Sequence, residues 1–186
     1  MPYTPMSDLG QQGLFDITRT LLQQPDLGAL SDALTRLVRQ SALADSAAIV
    51  LWHSATHRAS YFSTRDNGKI FEYEDETFLA HGPVRRILSR PEALHCNFDQ
   101  FRQAWPKLAE SNLYHPFGHY SMLPLAVEGQ IFGGCEFIRD TDQPWSEAEY
   151  ERLHTFTQIV AVVAEQIQSR VTNNVDYDLL SRERDN

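Results

Sequence analysis

The sequence has few cysteines and no long apolar run. Only Cys96 and Cys135 occur among its 186 residues, too few for a disulfide framework and compatible with a reducing compartment. No apolar stretch approaches the roughly 18 residues of a membrane-spanning helix. The first ten residues also lack the basic start and apolar segment of an export signal. We therefore expect a cytoplasmic protein that makes no membrane contact.

Lysine is also scarce, because Lys69 and Lys107 are the only two in a chain of formal net charge −9. An acidic surface repels phosphate backbones, so we expect this chain not to contact nucleic acid. The phosphate-binding loop G-x-x-x-x-G-K-S/T is absent, since Gly68 and Lys69 are followed by Ile70. Nothing in the sequence calls for a cofactor or a metal.

The hydrophobic fraction of 42% is large enough for a folded core. Apolar residues at helical spacing predict helices from Gln11 to Gln23 and from about Leu27 to Leu43, with Asp26 as the N-cap of the second. Runs rich in β-branched and aromatic residues predict strands at Ala47–His53 and Arg58–Thr64, joined by a tight corner.

A second hairpin is predicted at His119–Val127 and Gln130–Phe137, with its corner at Glu128 and Gly129. Pro124 cannot donate a ladder hydrogen bond, so its strand should lie at an edge or carry a bulge there. The order of helices and strands along the chain indicates an α+β domain with an antiparallel sheet.

The segment between the hairpins is predicted to be an insertion of loops and short helices. Arg65–Lys69 is polar and predicts a loop. The acidic run Glu72–Glu76 predicts a helix start that continues to Leu79, because the helix dipole favours acidic residues there. Pro83 to Ser89 predicts a short helix with proline in its first position. Leu94–Cys96 predicts a short edge strand, and Asp99–Leu108 an irregular helix.

The last helix is predicted to begin with a capping box between Ser146 and Glu149. Its apolar residues recur at steps of three and four, which is typical of a coiled-coil seam; they are Leu153, Phe156, Val160, Val163 and Ile167. We favour pairing of this helix with a second subunit over packing on its own sheet alone. Beyond Val171 the sequence becomes polar and charged.

Four segments together resemble the GAF family of small-molecule sensor domains: GPVRRIL at 82–88, SMLPL at 121–125, GQIFGG at 129–134 and PWSEAEYERL at 144–153. The resemblance implies a six-stranded antiparallel sheet with helices on both faces. On this basis we assign residues 1–25 to an N-terminal helix, 26–171 to the GAF domain and 172–186 to a linker toward further domains.

The chain further resembles the amino-terminal part of formate-responsive, sigma-54-dependent transcriptional activators. That resemblance implies a signal-sensing regulatory domain without enzymatic activity, whose ATPase and DNA-binding partners lie elsewhere in the full protein. It also implies formate, a small carboxylate, as the ligand. We expect a homodimer formed through the N- and C-terminal helices.

A carboxylate site needs hydrogen-bond donors more than apolar volume. The helix start at Gly82 offers free backbone N–H groups. Val84 belongs to the buried side of that helix, and Arg85 flanks it, whereas Arg86 points away. We therefore predict Arg85 as the ionic partner of the ligand. The predicted ligand-binding residues are His81, Val84, Arg85, His119 and Tyr120.

Three other readings stay open. The domain can be a dimerisation module without ligand, in which case Trp105, Phe117 and their neighbours fill the space under the 82–88 helix. It can sense redox state or metal through His95, Cys96, His115 and His119, although their spacing matches no metal signature. It can also reduce methionine sulfoxide with Cys96 and Cys135, as one branch of the GAF family does. No signature for cyclic nucleotides or tetrapyrroles is present.

Overall fold

A six-stranded antiparallel sheet lies between two layers of helices. The computed structural model describes residues 11–56, 58–64, 70–75, 81–111 and 114–184. In chain order the elements are α1 (Gln11–Leu22), α2 (Leu27–Gln40), β1 (Ser46–His53), β2 (Arg58–Thr64), β3 (Ile70–Asp75), α3 (Pro83–Ser89), β4 (Leu94–Asn97), α4 (Phe98–Ala104), α5 (Pro106–Ala109), β5 (His119–Val127), β6 (Gln130–Arg139) and α6 (Glu147–Arg184). The strands follow the order β3-β2-β1-β6-β5-β4 across the sheet. The predicted α+β class, with helices on both faces of the sheet, is confirmed.

Helices α1, α2 and α6 cover one face of the sheet. Leu21 of α1, Leu34 of α2 and Phe156 of α6 are buried there against Ile49 and Phe137 of the strands. The apolar stripe of each helix is therefore the side that it turns toward the sheet. The predicted N-terminal helix shares this core with the rest of the domain.

Helices α3, α4 and α5 form the layer on the opposite face. Val84 and Ile87 of α3, Phe101 of α4 and Leu108 of α5 are buried against this face of the sheet. The predicted irregular helix is two short helices, because Pro106 starts a new one directly after Trp105.

Local sequence signals set the starts of the helices. The Asp26 carboxylate accepts a hydrogen bond from the backbone N–H of Ala29 at 2.8 Å, as expected of an N-cap. Helix α3 begins with Pro83 in its first turn, as predicted. The backbone N–H of Ser146 donates to Oε2 of Glu149 at 2.7 Å, which confirms the capping box.

The β5–β6 hairpin lies inside the sheet and is flanked by β1 and β4. Its corner residues Glu128 and Gly129 have φ angles of 51° and 79°, the left-handed conformation that tight hairpin turns require. Pro124 lies beyond the part of β5 that pairs with β4, next to a register shift between Leu125 and Ala126. The prediction of an edge position or a bulge at this proline is therefore confirmed.

The prediction of a helix opening at Glu72–Glu76 is wrong. Residues Ile70–Asp75 form strand β3, which pairs with β2 and places Tyr73 opposite Tyr61. The sequence of β3 alternates aromatic and acidic residues, and such alternation favours an edge strand with one polar face. This pairing outweighs the dipole preference of the acidic residues. The predicted loop at 65–69 and the helical continuation at 76–79 lie outside the described residues.

Helix α6 contains 38 residues and continues to Arg184, through most of the segment predicted as a linker. The predicted coiled-coil seam, Leu153 to Ile167, is buried in the core that α6 shares with its own sheet and with α1 and α2. Our preference for pairing of that seam with a second subunit is therefore wrong, because its residues already have intramolecular partners. No helix within the described ranges is long and apolar enough to cross a lipid bilayer.

Candidate functional site

Aromatic rings fill the space under α3 where a ligand cavity was expected. Phe101 is fully buried, and its ring centroid lies 4.9 Å from that of Tyr114, 5.0 Å from that of Tyr120 and 5.3 Å from that of Phe117. Trp105 adds a further ring at 5.2 Å from Phe101. Such distances are those of direct ring contact. Around Phe101 this interior is a packed core.

A carboxylate lies within this aromatic core. Glu136 of β6 is 1% exposed. Its Oε1 accepts a hydrogen bond from the hydroxyl of Tyr61 at 2.8 Å. Its Oε2 accepts from the hydroxyls of Tyr114 at 2.7 Å and Tyr120 at 2.8 Å. We call these four residues the Glu136–tyrosine network.

Burial governs the electrostatics of this network. It raises the pKa of Glu136, and the three tyrosine hydroxyls oppose that rise by stabilising the carboxylate. Burial and the neighbouring Glu136 charge both raise the pKa of Tyr114 and Tyr120 well above the usual tyrosine value. The hydroxyls therefore stay protonated and act as donors. The negative charge of Glu136 would repel a second carboxylate in the same interior.

The predicted site residues do not all lie in one place. Val84 and Tyr120 are both buried in the core under α3. His119 lies on the other face of the sheet, where Nε2 hydrogen-bonds the carbonyl of Asp142 at 2.9 Å and the ring lies 6.4 Å from that of Trp145. Neighbouring residues of a strand point to opposite faces, which separates His119 from Tyr120.

His81 and Arg85 lie at the outer surface and line an open pocket of about 330 Å³ beside α3 and α4. The guanidinium carbon of Arg85 lies 5.7 Å from the centroid of the Trp52 ring. Arg86 lines the same pocket, although it was predicted to point away from the ligand. The prediction was for an internal site, whereas this pocket opens on the solvent side of the helix. We call it the α3 pocket.

Sequence reasoning missed Glu136, Tyr61 and Tyr114. One signal was available, because Glu136 is the only charged residue between Gln130 and Ile138 in a strand of otherwise apolar and small residues. A carboxylate in such a strand is costly to bury and needs partners. Its partners lie as far as 75 positions away in the sequence, so they could not be named from it.

The two cysteines lie on opposite faces of the sheet. Cys135 belongs to the core under α6, while Cys96 packs against the core under α3. Burial raises the pKa of the Cys96 thiol to about 12 and also raises that of Cys135. Neither thiol is therefore activated as a nucleophile. This placement contradicts the reading of an attacking and resolving pair.

The histidines of the metal hypothesis are likewise dispersed. The ring centroid of His95 lies 4.1 Å from that of Tyr150 of α6, whereas Cys96 faces the other layer. His115 lies 3.3 Å from Asp140 at the surface. Among the residues that the structure describes, no group of three or more His, Cys, Asp or Glu side chains is placed to hold a metal ion.

Large apolar side chains are exposed on the neighbouring helices α1 and α6. Leu14, Phe15 and Leu22 of α1 are 39%, 59% and 44% exposed, and Val162 of α6 is 45% exposed. Phe15 and Leu22 are seven positions apart, so they lie on one stripe of α1. We call these four residues the α1–α6 surface. Exposed apolar side chains that share a stripe, as Phe15 and Leu22 do, are available to a partner.

Over all 186 residues the chain is 75% identical to the formate hydrogenlyase transcriptional activator of Salmonella typhimurium (strain SL1344) and 68% identical to that of Escherichia coli (strain K12). The chain spans 27% of the length of each of these relatives. No family model matches the sequence.

Among solved structures, the GAF domain of the Acinetobacter phosphoenolpyruvate-protein phosphotransferase superposes with a TM-score of 0.65 at 16% identity, covering 88% of this chain and 97% of that chain. The GAF domain of the same kind of protein from Coxiella burnetii gives 0.63 at 16% identity, covering 86% and 94%. The chain thus has the GAF fold that its motifs predicted, and over its whole length it closely resembles the amino-terminal part of formate hydrogenlyase transcriptional activators.

Proposed function

We propose that this chain is the amino-terminal regulatory GAF domain of a cytoplasmic, sigma-54-dependent transcriptional activator that responds to formate, and that it joins two copies of the protein through α1 and α6. The high identity to formate hydrogenlyase activators supports the regulatory role. The role is structural and regulatory rather than catalytic, since both thiols have raised pKa values and lie on opposite sides of the sheet.

The α1–α6 surface is the observation that carries the proposal. Burying a large apolar side chain contributes about 1.5–3 kcal/mol, and a two-fold dimer uses the same surface on both subunits. Helix α6 is long as well, because its 38 residues span roughly 57 Å at about 1.5 Å per residue. A long helix that leaves the domain from a dimer interface can pass a change in subunit packing to whatever follows it.

Replacement of Phe15 by glutamate tests the dimer. We expect wild-type protein to sediment as a dimer at micromolar concentration and Phe15→Glu to sediment as a monomer with an unchanged circular dichroism spectrum. Gln103→Glu is the matched control, because it adds the same charge at an exposed position of α4 in the opposite layer. Dimers of equal strength in both variants would contradict the proposal.

A second candidate function is formate binding at the α3 pocket. Two arginines, Arg85 and Arg86, and His81 line this pocket in a chain of net charge −9. A locally positive pocket attracts a small carboxylate. The contrast with the interior favours this location, because the interior core is packed and already contains the Glu136 carboxylate.

The size of formate limits the affinity of such a site. At about −1.5 kcal/mol per non-hydrogen atom, formate gains at most roughly −4.5 kcal/mol, a dissociation constant near half a millimolar. We expect calorimetric titration to detect millimolar binding of formate that weakens in Arg85→Ala and in Arg86→Ala. Arg90→Ala is the control, because Arg90 is exposed just past α3 and outside the pocket lining. Equal binding by all variants would exclude the α3 pocket.

A further inference from the structure

Three hydroxyl groups from separate parts of the chain converge on one carboxylate. Tyr61 comes from β2, Tyr120 from β5, and Tyr114 from the segment that leads into β5. The three tyrosines are 4%, 0% and 7% exposed, so water does not compete for their hydroxyls. All three donate to Glu136 over 2.7–2.8 Å. These distances are those of well-formed O–H···O hydrogen bonds.

The arrangement has the properties of a carboxylate receptor. Each oxygen of Glu136 has at least one phenolic donor, and the donors are held by neighbouring strands and by contact with Phe101. The phenolic hydroxyls donate the hydrogen bonds that water molecules would donate to an exposed carboxylate. A receptor built in this way recognises the carboxylate group itself, whichever molecule carries it.

We propose that the interior under α3 is a binding site for a small carboxylate which the chain fills with its own Glu136 side chain. A tethered ligand acts at a far higher effective concentration than millimolar formate, so Glu136 keeps the site closed to free carboxylates. The inference is independent of the α3 pocket, which lies on the outer side of the same helix. In the wild-type chain the interior therefore binds a carboxylate, and that carboxylate is the chain's own Glu136.

The chemistry of the side chain supplies a matched probe. Truncation of Glu136 to alanine removes Cγ, Cδ, Oε1 and Oε2, and these are the non-hydrogen atoms of acetate. The vacated receptor therefore fits acetate, while formate lacks the carbon that replaces Cγ. Propionate carries one carbon more than the vacated space. The order of effect expected for the variant is acetate, then formate, then propionate.

Thermal unfolding of Glu136→Ala in sodium acetate, formate, propionate and chloride tests the proposal. We expect acetate to raise the melting temperature of Glu136→Ala saturably. In wild type, acetate should change the melting temperature no more than chloride does, apart from any effect of acetate bound in the α3 pocket. Measuring both proteins in the Arg85→Ala background removes that effect. Adding Tyr120→Phe to Glu136→Ala removes one donor and should weaken the apparent acetate affinity about tenfold.

The opposite results would overturn the proposal. An equal acetate response in wild type and Glu136→Ala, or none in the variant, means that the three hydroxyls do not form a receptor. If Glu136→Ala does not fold in chloride, refolding from urea gives the readout instead, and we expect native protein to be recovered with acetate and not with chloride. Failure in both salts would refute the idea.

Discussion

The hydroxyl of Tyr120 donates to Oε2 of Glu136 over 2.8 Å, a diagonal contact between the neighbouring strands β5 and β6. Oε2 also accepts from Tyr114, so one oxygen connects the sheet to the segment that follows α5. Because Glu136 is buried, the loss of any of these donors leaves a carboxylate oxygen less stabilised in a medium without water. We therefore expect each hydroxyl of the network to contribute more to the free energy of unfolding than an ordinary tyrosine hydroxyl does.

Removal of single hydroxyls tests that expectation. Tyr120→Phe and Tyr114→Phe should each lower the free energy of unfolding by about 1.5–3 kcal/mol, because hydrogen bonds to charged groups are worth that much. Urea denaturation with unchanged m-values measures the effect. Tyr150→Phe is the control, since Tyr150 belongs to α6, on the other side of the sheet and outside the network. Equal losses in all three variants would contradict the special role of the network.

Stability should depend on pH through Glu136. Burial raises its pKa above the ordinary value of 4.5. The native state therefore holds this proton more tightly than the unfolded state, so its contribution is fully present below pH 4.5 and is lost as the pH rises through the native pKa. In Glu136→Gln this dependence is absent. The unfolding free energy of wild type minus that of the variant should fall as the pH rises from acid to neutral, and a rise would contradict it.

Two adjacent glycines of β6 should differ in their tolerance of a side chain. A Cβ at Gly133 would lie 2.1 Å from the backbone oxygen of Val50, whereas one at Gly134 would first meet the flexible end of Met122 at 2.8 Å. Overpacking costs about 1–3 kcal/mol. We expect Gly133→Ala to reach or exceed the upper part of that range, and Gly134→Ala to cost less, as measured by thermal or urea unfolding. The reverse order would contradict the close backbone approach.

Features set by neighbouring residues were predictable from the sequence. The Asp26 cap, the start of α3 at Pro83 and the Glu128-Gly129 corner each depend on a few adjacent positions, and each was confirmed. Strand β3 was not predicted, because its acidic residues favour a helix start locally and only pairing with β2 makes the strand stable. Periodicity placed the apolar seam of α6 correctly, but it could not distinguish the domain's own sheet from a second subunit.

The candidate site was less predictable for the same reason. Arg85 and His81 do line a common pocket, since four residues apart they stay neighbours in space. Tyr61 and Glu136 meet across 75 positions. His119 was grouped with Tyr120 because they are adjacent in the chain, yet alternation along β5 sends them to opposite faces.

Because the interior is closed, we expect formate to bind at the surface, in the α3 pocket, and not in the core. Amide NMR of the wild-type protein titrated with formate tests it most directly. We expect the signals of His81 and Arg85 to shift with millimolar formate, while those of Tyr114, Tyr120 and Glu136 keep their positions. Saturable shifts concentrated at the two tyrosines and Glu136, with none at Arg85, would contradict the closure of the interior.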